Sequence, residues 1–368
     1  AEAALGRPLD TVFKDFDSTP LAAASLGQVH RATLTEEFGA KEVAVKVQRN
    51  GLREMYDLDL ALMEKIFRAL DKFNIKVAGA SQDWTDIFFD CRETLYREID
   101  YKAEAASAAR FHADFNETSW VETPTVMKEL CTEKMLVMEY LPGIKINDIK
   151  TLDATPGIDR KVLANNLAKS YLLQFCKYGF FNTDPHPGNI AVCATSGQLI
   201  FYDFGQACEL APNQQQGILD VIESIIDMDV KKCVGSLDMM GVIKPGSDLA
   251  CFENVVAKNF ASGKVKSPKG KKTLAAMDPE AQKAALAEAE VAGKAVMPFV
   301  LLPAEYAFAA RALQQMDGVG KMLDPEFEFI TAAAPGIVEV KGTSDFMKDV
   351  IEKTLADPLK KLEELMPW

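Results

Sequence analysis

Alternating apolar and polar residues mark two strands near the start of the chain. Residues 27–34 and 42–48 are rich in β-branched side chains, and a glycine-containing turn separates them. In the second run the three valines fall on one face and Lys46 on the other, because successive side chains of a strand alternate. The pattern predicts a small sheet that presents Lys46 to a binding site.

Helical spacing of apolar residues follows the two strands. Residues 52–73 and 83–115 predict two long helices, and residues 136–141 predict a short strand that ends at Pro142-Gly143. We place a boundary between two lobes at that turn. The first lobe is then residues 1–141 and the second is residues 142–368.

The second predicted lobe is mostly helical. Residues 161–177 predict a helix, residues 198–202 predict a strand, and helical spacing dominates after Asp203. Residues 262–295 are rich in Lys, Ala and Glu, which is typical of a solvated insertion. Residues 345–365 are amphipathic, and we expect a helix that packs on the body in preference to contact with a membrane surface.

Composition narrows the class of protein. The 368 residues are 48% hydrophobic, enough for a sizeable core, and the net charge of −13 argues against nucleic acid as a partner. Seven cysteines without a C-x-x-C pair indicate a reducing compartment and no zinc site. The most apolar stretch, residues 297–313, is interrupted by prolines and charges, so we expect no transmembrane helix. Because the chain begins with Ala1, we expect a targeting segment to be missing.

Lysine on a strand, followed by carboxylates on a helix, is typical of kinase-like sites. There the lysine contacts nucleotide phosphates and a helical glutamate orients it. Asp100 and Glu104, four residues apart, are expected to share one helix face, and Glu98 to lie on another. Spacing alone leaves open which of them pairs with Lys46. The alternative interpretation is structural: Lys46 would be an ordinary exposed strand residue, and the carboxylates would be exposed charges on a helix, neither with a role in function.

Two acidic segments further along the chain are stronger evidence for a kinase-like site. Asp184 and Asn189 stand five residues apart around two prolines and a glycine, the spacing of the kinase catalytic loop. In such loops the aspartate faces the acceptor and the asparagine binds Mg²⁺. Fourteen residues on, Asp203 opens an Asp-Phe-Gly triplet whose carboxylate suits Mg²⁺. We expect His186 to organise the loop backbone, because no second metal ligand lies nearby.

Alanines replace the glycine-rich phosphate loop of ordinary kinases. The segment before Lys46 contains Ala22, Ala23, Ala24 and Ser25, and Cβ atoms there restrict the approach of backbone to phosphate. A small-residue turn is one interpretation. The other is a loop that binds nucleotide differently and lowers the rate of phosphoryl transfer.

Taken together, the motifs P-L-A-A-A-S-L-G-Q-V-H-R-A, V-A-V-K-V-Q-R, L-Y-R-E-I-D-Y-K-A-E-A, M-E-Y-L-P-G, N-T-D-P-H-P-G-N and Y-D-F-G resemble the UbiB family of aarF-domain-containing, ADCK-type atypical kinases. The resemblance runs from about residue 13 to at least residue 205. It implies an α+β, two-lobed protein-kinase-like fold, with a small sheet and long helices in the N-lobe and a mostly helical C-lobe. The family's K-x-G-Q element is absent, so either the chain is trimmed or that gating element is lost.

The resemblance also assigns roles to residues. It implies that Lys46, Glu104 and Asp184 are catalytic, with Glu104 as the partner of Lys46, and that Asn189 and Asp203 hold Mg²⁺. It implies that Glu98 and Asp100 form a regulatory E-x-D motif. The nucleotide-binding residues implied are Ala22, Ala23, Ala24, Ser25, Val29, Lys46, Met138, Glu139 and Leu141.

Three functions are compatible with these features. The leading hypothesis is an atypical kinase or ATPase that uses ATP and Mg²⁺, and the resemblance associates it with quinone and prenyl-lipid metabolism. A nucleotide-binding pseudokinase scaffold that regulates a lipid-enzyme complex is the second. A small-molecule phosphotransferase is the third, but it does not predict the Ala-rich and E-x-D motifs.

Partners and location follow from the resemblance alone. It implies a lipid or quinone-like ligand, peripheral membrane contact and protein partners. Residues 302–305 and 318–325 are similar to plant and algal plastid members, which implies a chloroplast location, with mitochondria as the alternative.

Overall fold

The computed structural model describes five stretches of the chain: 1–23, 26–72, 84–261, 299–301 and 303–342. They form two compact units. The first comprises residues 1–143 and 200–206, and the second comprises residues 144–199 and the chain from Ala207 onward. The predicted insertion at 262–295 and the predicted helix at 345–365 lie outside the described residues, as do Ala24 and Ser25.

The first unit combines an antiparallel sheet with helices. Its strands are β1 (Phe13–Phe16), β2 (Ala22–Ala23), β3 (Gly27–Leu34), β4 (Glu42–Gln48), β5 (Val121–Glu122) and β6 (Met135–Glu139). Its helices are α1 (Glu2–Leu5), α2 (Leu52–Lys72), α3 (Trp84–Glu98) and α4 (Tyr101–Phe115). The sheet has the order β1-β3-β4-β6, and β2 pairs with β3. The two strands predicted at 27–34 and 42–48 are confirmed.

Strand β4 separates two apolar layers. On one face Val43 and Val45 are fully buried, with Val137 of β6 beside them. On the other face Ala44 packs against Tyr101 of α4. The predicted alternation of β4 is therefore confirmed, and Lys46 shares the face that carries Ala44.

The helix predicted over residues 83–115 is wrong in one respect, because it breaks into α3 and α4. Asp100 has extended backbone angles (φ −99°, ψ 98°), and its carboxylate accepts a hydrogen bond from the backbone N–H of Lys102 at 2.9 Å. It is thus the N-cap of α4, a position that aspartate favours because it satisfies an otherwise unpaired amide. The expectation that Asp100 and Glu104 share a helix face fails for this reason, since Asp100 precedes the first turn.

The second unit is largely helical. Its strands are β7 (Ile144–Lys145), β8 (Phe180–Asn182), β9 (Ile190–Val192) and β11 (Ala207–Glu209), while the chain passes between the units within β10 (Leu199–Phe201). Its helices are α5 (Ile149–Ala154), α6 (Arg160–Leu173), α7 (Pro212–Asp227), α8 (Val230–Met239), α9 (Leu249–Ala261), α10 (Ala304–Leu323), α11 (Phe329–Ala333) and α12 (Ile337–Lys341). β7 pairs with β9 and β8 with β11, both antiparallel.

Helix α6 is the centre of the second unit. Leu167, Ala168 and Tyr171 are fully buried, and α10 and α11 pack on this helix. A π-helical turn, Gln174–Tyr178, continues α6 until Gly179 ends it with a left-handed backbone (φ 62°). The turn leads directly into β8. Because the loop that contains Asp184 begins where β8 ends, β8 sets the position of that loop. Within the described ranges, no helix is long and apolar enough to cross a bilayer.

Candidate functional site

A buried ion cluster lies in the first unit. The Lys46 ammonium donates hydrogen bonds to both carboxylate oxygens of Glu104, at 2.7 and 2.9 Å, and lies 3.3 Å from Oδ2 of Asp203. Lys46 and Glu104 are only 8% and 5% exposed, whereas the Asp203 side chain is 36% exposed. One cation is therefore shared by two carboxylates, of which one is buried and one reaches solvent.

The elements that carry the cluster explain its geometry. Lys46 sits in the middle of the sheet, opposite Val29 of β3 and Leu136 of β6, so its backbone is held on both sides. Glu104 lies in the first turn of α4, directly after the Asp100 cap. The ammonium also lies 5.1 Å from the centre of the Tyr101 ring, within range of a cation–π interaction.

Burial and charge shift the protonation of this cluster. Burial raises the pKa of Glu104 to about 7; the nearby Asp203 charge adds to the rise, and Lys46 opposes it. Burial works against the charged form of Lys46, but the two carboxylates outweigh it and raise the lysine pKa. Burial also raises the pKa of Tyr101 to about 12. The lysine therefore stays charged at neutral pH, and burial makes the Glu104 carboxyl easier to protonate than an exposed glutamate.

The Asp-Phe-Gly segment is fixed to α4. Oδ1 of Asp203 accepts a hydrogen bond from the Gly205 N–H at 2.9 Å, and the fully buried Phe204 ring lies 5.0 Å from that of Phe111. A Cβ atom at Gly205 would lie 3.3 Å from Oδ1 of Asp203 and 3.5 Å from Oε2 of Glu104, so a side chain there would crowd both carboxylates. These contacts hold the Asp203 carboxylate toward Lys46.

Glu98 and Asp100, the E-x-D residues, form hydrogen bonds with elements next to the ion cluster. Oε1 of Glu98, at the end of α3, accepts a hydrogen bond from Nε2 of Gln206 at 2.9 Å. Asp100 caps α4, as described above. Neither carboxylate pairs with Lys46 in the structure; both stabilise the elements that carry Glu104 and Asp203.

The residues implied to bind nucleotide are spread along the sheet of the first unit. Ala22 and Ala23 are exposed in β2 and pair with β3, and Val29 is half-buried. Met138 is buried and packs in the same apolar layer as Ala44. The last two lie at and just beyond the end of β6: the Glu139 carboxylate accepts from the N–H of Thr125 at 3.3 Å, and the Leu141 carbonyl accepts from the Tyr202 hydroxyl at 2.8 Å.

Gly27 marks a close approach between β3, β4 and α4. A Cβ atom at this position would collide with the carbonyl oxygen of Val47 and would lie 2.7 Å from the Tyr101 hydroxyl. Only glycine fits without a shift of these neighbours. Tyr101 was not singled out by sequence reasoning, although it directly follows Asp100 in a motif that was.

A second acidic loop lies in the second unit, directly after β8. The backbone N–H of Asp184 donates to Oδ1 of Asn182 at 2.8 Å, and the Asn189 N–H donates to the His186 carbonyl at 2.8 Å. Nδ1 of His186 accepts from the Gly188 N–H at 3.1 Å, as expected for a side chain that organises the loop. The loop shape is thus encoded by neighbouring residues.

Contacts between residues further apart in the sequence orient this loop and the Asp184 side chain. The buried Asn182 donates its N–H to Oε1 of Gln174 at 3.0 Å and accepts the Tyr171 hydroxyl at 3.3 Å. The Asp184 side chain is 30% exposed, and Nη2 of Arg311 on α10 lies 4.0 Å from its Oδ1. Sequence reasoning missed Arg311 as a neighbour of Asp184, and no local signal pointed to it, because 127 residues separate the two.

The donor groups suit a metal that arrives with a nucleotide. Among the described residues, no cluster of three or more His, Cys, Asp or Glu side chains could hold a metal ion. Mg²⁺ commonly binds through one or two protein oxygens, with water and phosphate as its other ligands. In the first unit Asp203 offers a partly exposed carboxylate, which fits that mode. In the second unit the side chain of Asn189 is half-buried.

The ABC1 atypical kinase-like domain matches residues 1–237. The chain belongs to this family. It is 38% identical to "Protein ACTIVITY OF BC1 COMPLEX KINASE 8, chloroplastic" of Arabidopsis thaliana, a match that covers 96% of this chain and 48% of the relative. An uncharacterized protein of Synechocystis is 35% identical, with 94% and 56% covered. The chain spans about half the length of the curated relatives it matches.

A solved structure shows the fold. The structure of Rv3197 from Mycobacterium tuberculosis, determined with erythromycin, has a TM-score of 0.62 and 21% identity to this chain; the match covers 88% of this chain and 77% of that protein. The predicted fold class and the resemblance to the UbiB family are thereby confirmed.

Proposed function

We propose that this chain binds Mg-ATP and acts as an atypical kinase or ATPase. The observation that carries the proposal is the Lys46–Glu104 ion pair with Asp203 beside it. In protein kinases, the strand lysine must pair with a helical glutamate, and the aspartate of Asp-Phe-Gly must hold Mg²⁺, before phosphoryl transfer occurs. The first unit brings these three side chains together, with Lys46 in contact with both carboxylates.

Each residue has a proposed role. Lys46 would contact the nucleotide phosphates and Glu104 would hold it in position, while Asp203 and Asn189 would bind Mg²⁺. Bound Mg²⁺ would neutralise charge on the transferring phosphoryl group. Asp184 would orient the acceptor. For Asp184 and Asn189 the support is their spacing and the local hydrogen bonds of their loop.

We extend the proposal to the nucleotide site as a whole. Ala22, Ala23, Ala24, Ser25, Val29, Met138, Glu139 and Leu141 would surround the nucleotide, and Glu98 and Asp100 would regulate the site through α3 and α4. The division into lobes 1–141 and 142–368 belongs to the same proposal. A chloroplast location is a further part of it, supported by the chloroplastic names of the Arabidopsis relatives. A lipid or quinone-like ligand at a membrane is the last part, and it rests on the resemblance to the UbiB family alone.

A scaffold without turnover is the second candidate. The observation that favours it is that Ala22 and Ala23 occupy strand β2 where an ordinary kinase has glycines. Their Cβ atoms restrict the approach of backbone to phosphate. On this alternative the chain binds nucleotide and regulates a lipid-enzyme complex.

Nucleotide binding and turnover separate the two candidates. Thermal shift with Mg-ATP and ADP release with and without anionic or quinone-like lipids should be measured for the wild type and Asp203→Asn. The exposed Asp15→Asn serves as the matched control. We expect Mg-ATP to stabilise the wild type and Asp203→Asn to lose turnover. Equal background turnover in both, with binding to the wild type retained, would establish the scaffold. No thermal shift at all would refute both.

The Ala-rich segment has a test of its own. We expect Ala23→Gly to change nucleotide affinity, because a residue without Cβ lets the backbone approach phosphate. Unchanged affinity would show that the segment is a structural turn.

A further inference from the structure

An apolar stripe runs along the solvent side of α2. Five large apolar residues on this helix are 40–74% exposed, and they are Met55, Leu58, Leu62, Met63 and Ile66. Their spacing of three or four residues, with Met63 at one edge, places them on one side of a helix with 3.6 residues per turn. We call them the α2 stripe. The other exposed large apolar residues are scattered over the described chain, so the stripe is the densest such surface there.

The opposite side of α2 is already occupied by α3. Leu60 is buried, and the Phe67 ring lies 5.5 Å from the ring of Phe88. The charged residues of that side are also paired: Arg68 with Glu64 at 2.7 Å and Arg53 with Asp57 at 3.4 Å. The stripe is therefore a second apolar side that the described residues of the first unit leave uncovered.

Charges beside the stripe have the pattern of a self-complementary surface. Glu54 and Lys65 flank one edge, eleven residues or about three turns apart on the helix. Neither has an ion-pair partner among the residues that the structure describes. In an antiparallel pair of α2 helices, the two-fold axis would pass near Leu60, and Glu54 of each copy would meet Lys65 of the other.

The apolar positions match under the same symmetry operation. With the axis near residue 60, Leu58 lies opposite Leu62 of the second copy, and Met55 lies within one residue of the position opposite Ile66. A two-fold interface requires this property, because the same patch must complement itself. Asp59, on the same side of the helix, would approach its own copy near the axis and weaken the contact.

We propose that the α2 stripe is a homodimer interface in which two copies of this chain pair their α2 helices antiparallel. The stripe is about 18 Å long, so the buried area falls at the low end for specific interfaces and the dimer should be weak and reversible. A membrane surface is less favourable, because Asp59 would enter the apolar layer and the helix lacks an excess of Lys and Arg.

Sedimentation equilibrium of the 368-residue chain tests this, over about 1–200 µM protein. We expect a monomer–dimer equilibrium, and we expect Leu58→Glu to raise the dissociation constant about tenfold or more. Met239→Glu is the matched control, since Met239 is 77% exposed on α8. Helical content by circular dichroism should be unchanged in both variants. A monomer at every concentration, or a dimer indifferent to Leu58→Glu, would overturn the proposal.

Charge reversal tests the antiparallel arrangement. Glu54→Lys and Lys65→Glu should each weaken the dimer, and the double variant should restore it. Asp59→Asn should tighten it. Failure of the double variant to recover dimerisation would overturn the arrangement. If the wild type is monomeric and floats with anionic vesicles only while Leu58 is intact, the stripe binds lipid and the proposal is wrong.

Discussion

Two acidic segments carry the proposed chemistry, and they are held in different ways. Asp203 and its neighbours depend on residues far along the chain: Lys46, Glu104 and Phe111. The loop of Asp184 takes its shape mainly from side chains two or three residues away, such as Asn182 and His186. We call these the ion cluster and the local loop.

The comparison indicates which substitutions should lower the free energy of unfolding most. A buried charge that loses its partner destabilises the fold, because water cannot replace the partner. A loop hydrogen bond near the surface is replaced by water at little cost. Substitutions in the ion cluster should therefore affect global stability, and those in the local loop should act nearby.

The largest effect is expected for Lys46→Met. Glu104 would be left buried without its cation, and the free energy of unfolding should fall by about 3–5 kcal/mol in urea denaturation at pH 8. The double variant Lys46→Met/Glu104→Gln should recover much of that loss. Lys14→Met, on the exposed face of β1, is the control. A loss below about 1 kcal/mol would mean that the ion pair is not buried in solution.

The second-largest effect is expected in the pH dependence of stability, through the Glu104 carboxyl of the ion cluster. The folded-state pKa of Glu104, about 7, lies above its ordinary value of 4.5, so protonation favours the folded state. This contribution is complete below pH 4.5 and is lost as the pH rises through 7. From pH 5 to pH 8 we expect the wild type to lose about 1–3 kcal/mol relative to Glu104→Gln.

Denaturation of both proteins across that pH range checks the prediction. The exposed Glu37→Gln variant should show no such trend relative to the wild type. A difference between the wild type and Glu104→Gln that stays constant, or grows with pH, would contradict a raised pKa in the folded protein.

A smaller effect is expected for Asn182→Ala, at the base of the local loop. The backbone N–H of Asp184 would lose its acceptor, at a cost of about 1–2 kcal/mol in unfolding free energy. Hydrogen exchange should speed up over residues 183–189 and remain unchanged in β4. The exposed Asn213→Ala is the control. Equal acceleration in both regions would mean that the loop is not a local element.

The smallest effect is expected for His186→Ala. His186 and Gly188 are exposed, so water can replace the acceptor of the Gly188 N–H, and the cost should stay below about 0.5 kcal/mol. Exchange of the Gly188 and Asn189 amides should still accelerate. A loss above about 1 kcal/mol would show that the imidazole holds more than this turn.

Prediction from sequence succeeded for elements whose conformation is set by the pattern of nearby residues. Alternation set β3 and β4 at their observed bounds, and helical spacing identified α2, whose described residues all lie within the predicted range. It failed at residues 99–100, where the predicted helix is interrupted. Aspartate tolerates a helix interior but favours the cap, and apolar spacing continued across the break, so periodicity could not detect it.

The sequence by itself determined strands β3 and β4, helix α2, the acid spacing and the family. Only the tertiary structure decided which carboxylate meets Lys46, because the break before Tyr101 sets the direction of α4 and brings Glu104 to β4 across 58 residues. It also placed Arg311 beside Asp184 and left the α2 stripe exposed. Local propensity acts over a few residues, whereas ion pairs and apolar surfaces are matched by packing, and packing is a property of the whole fold.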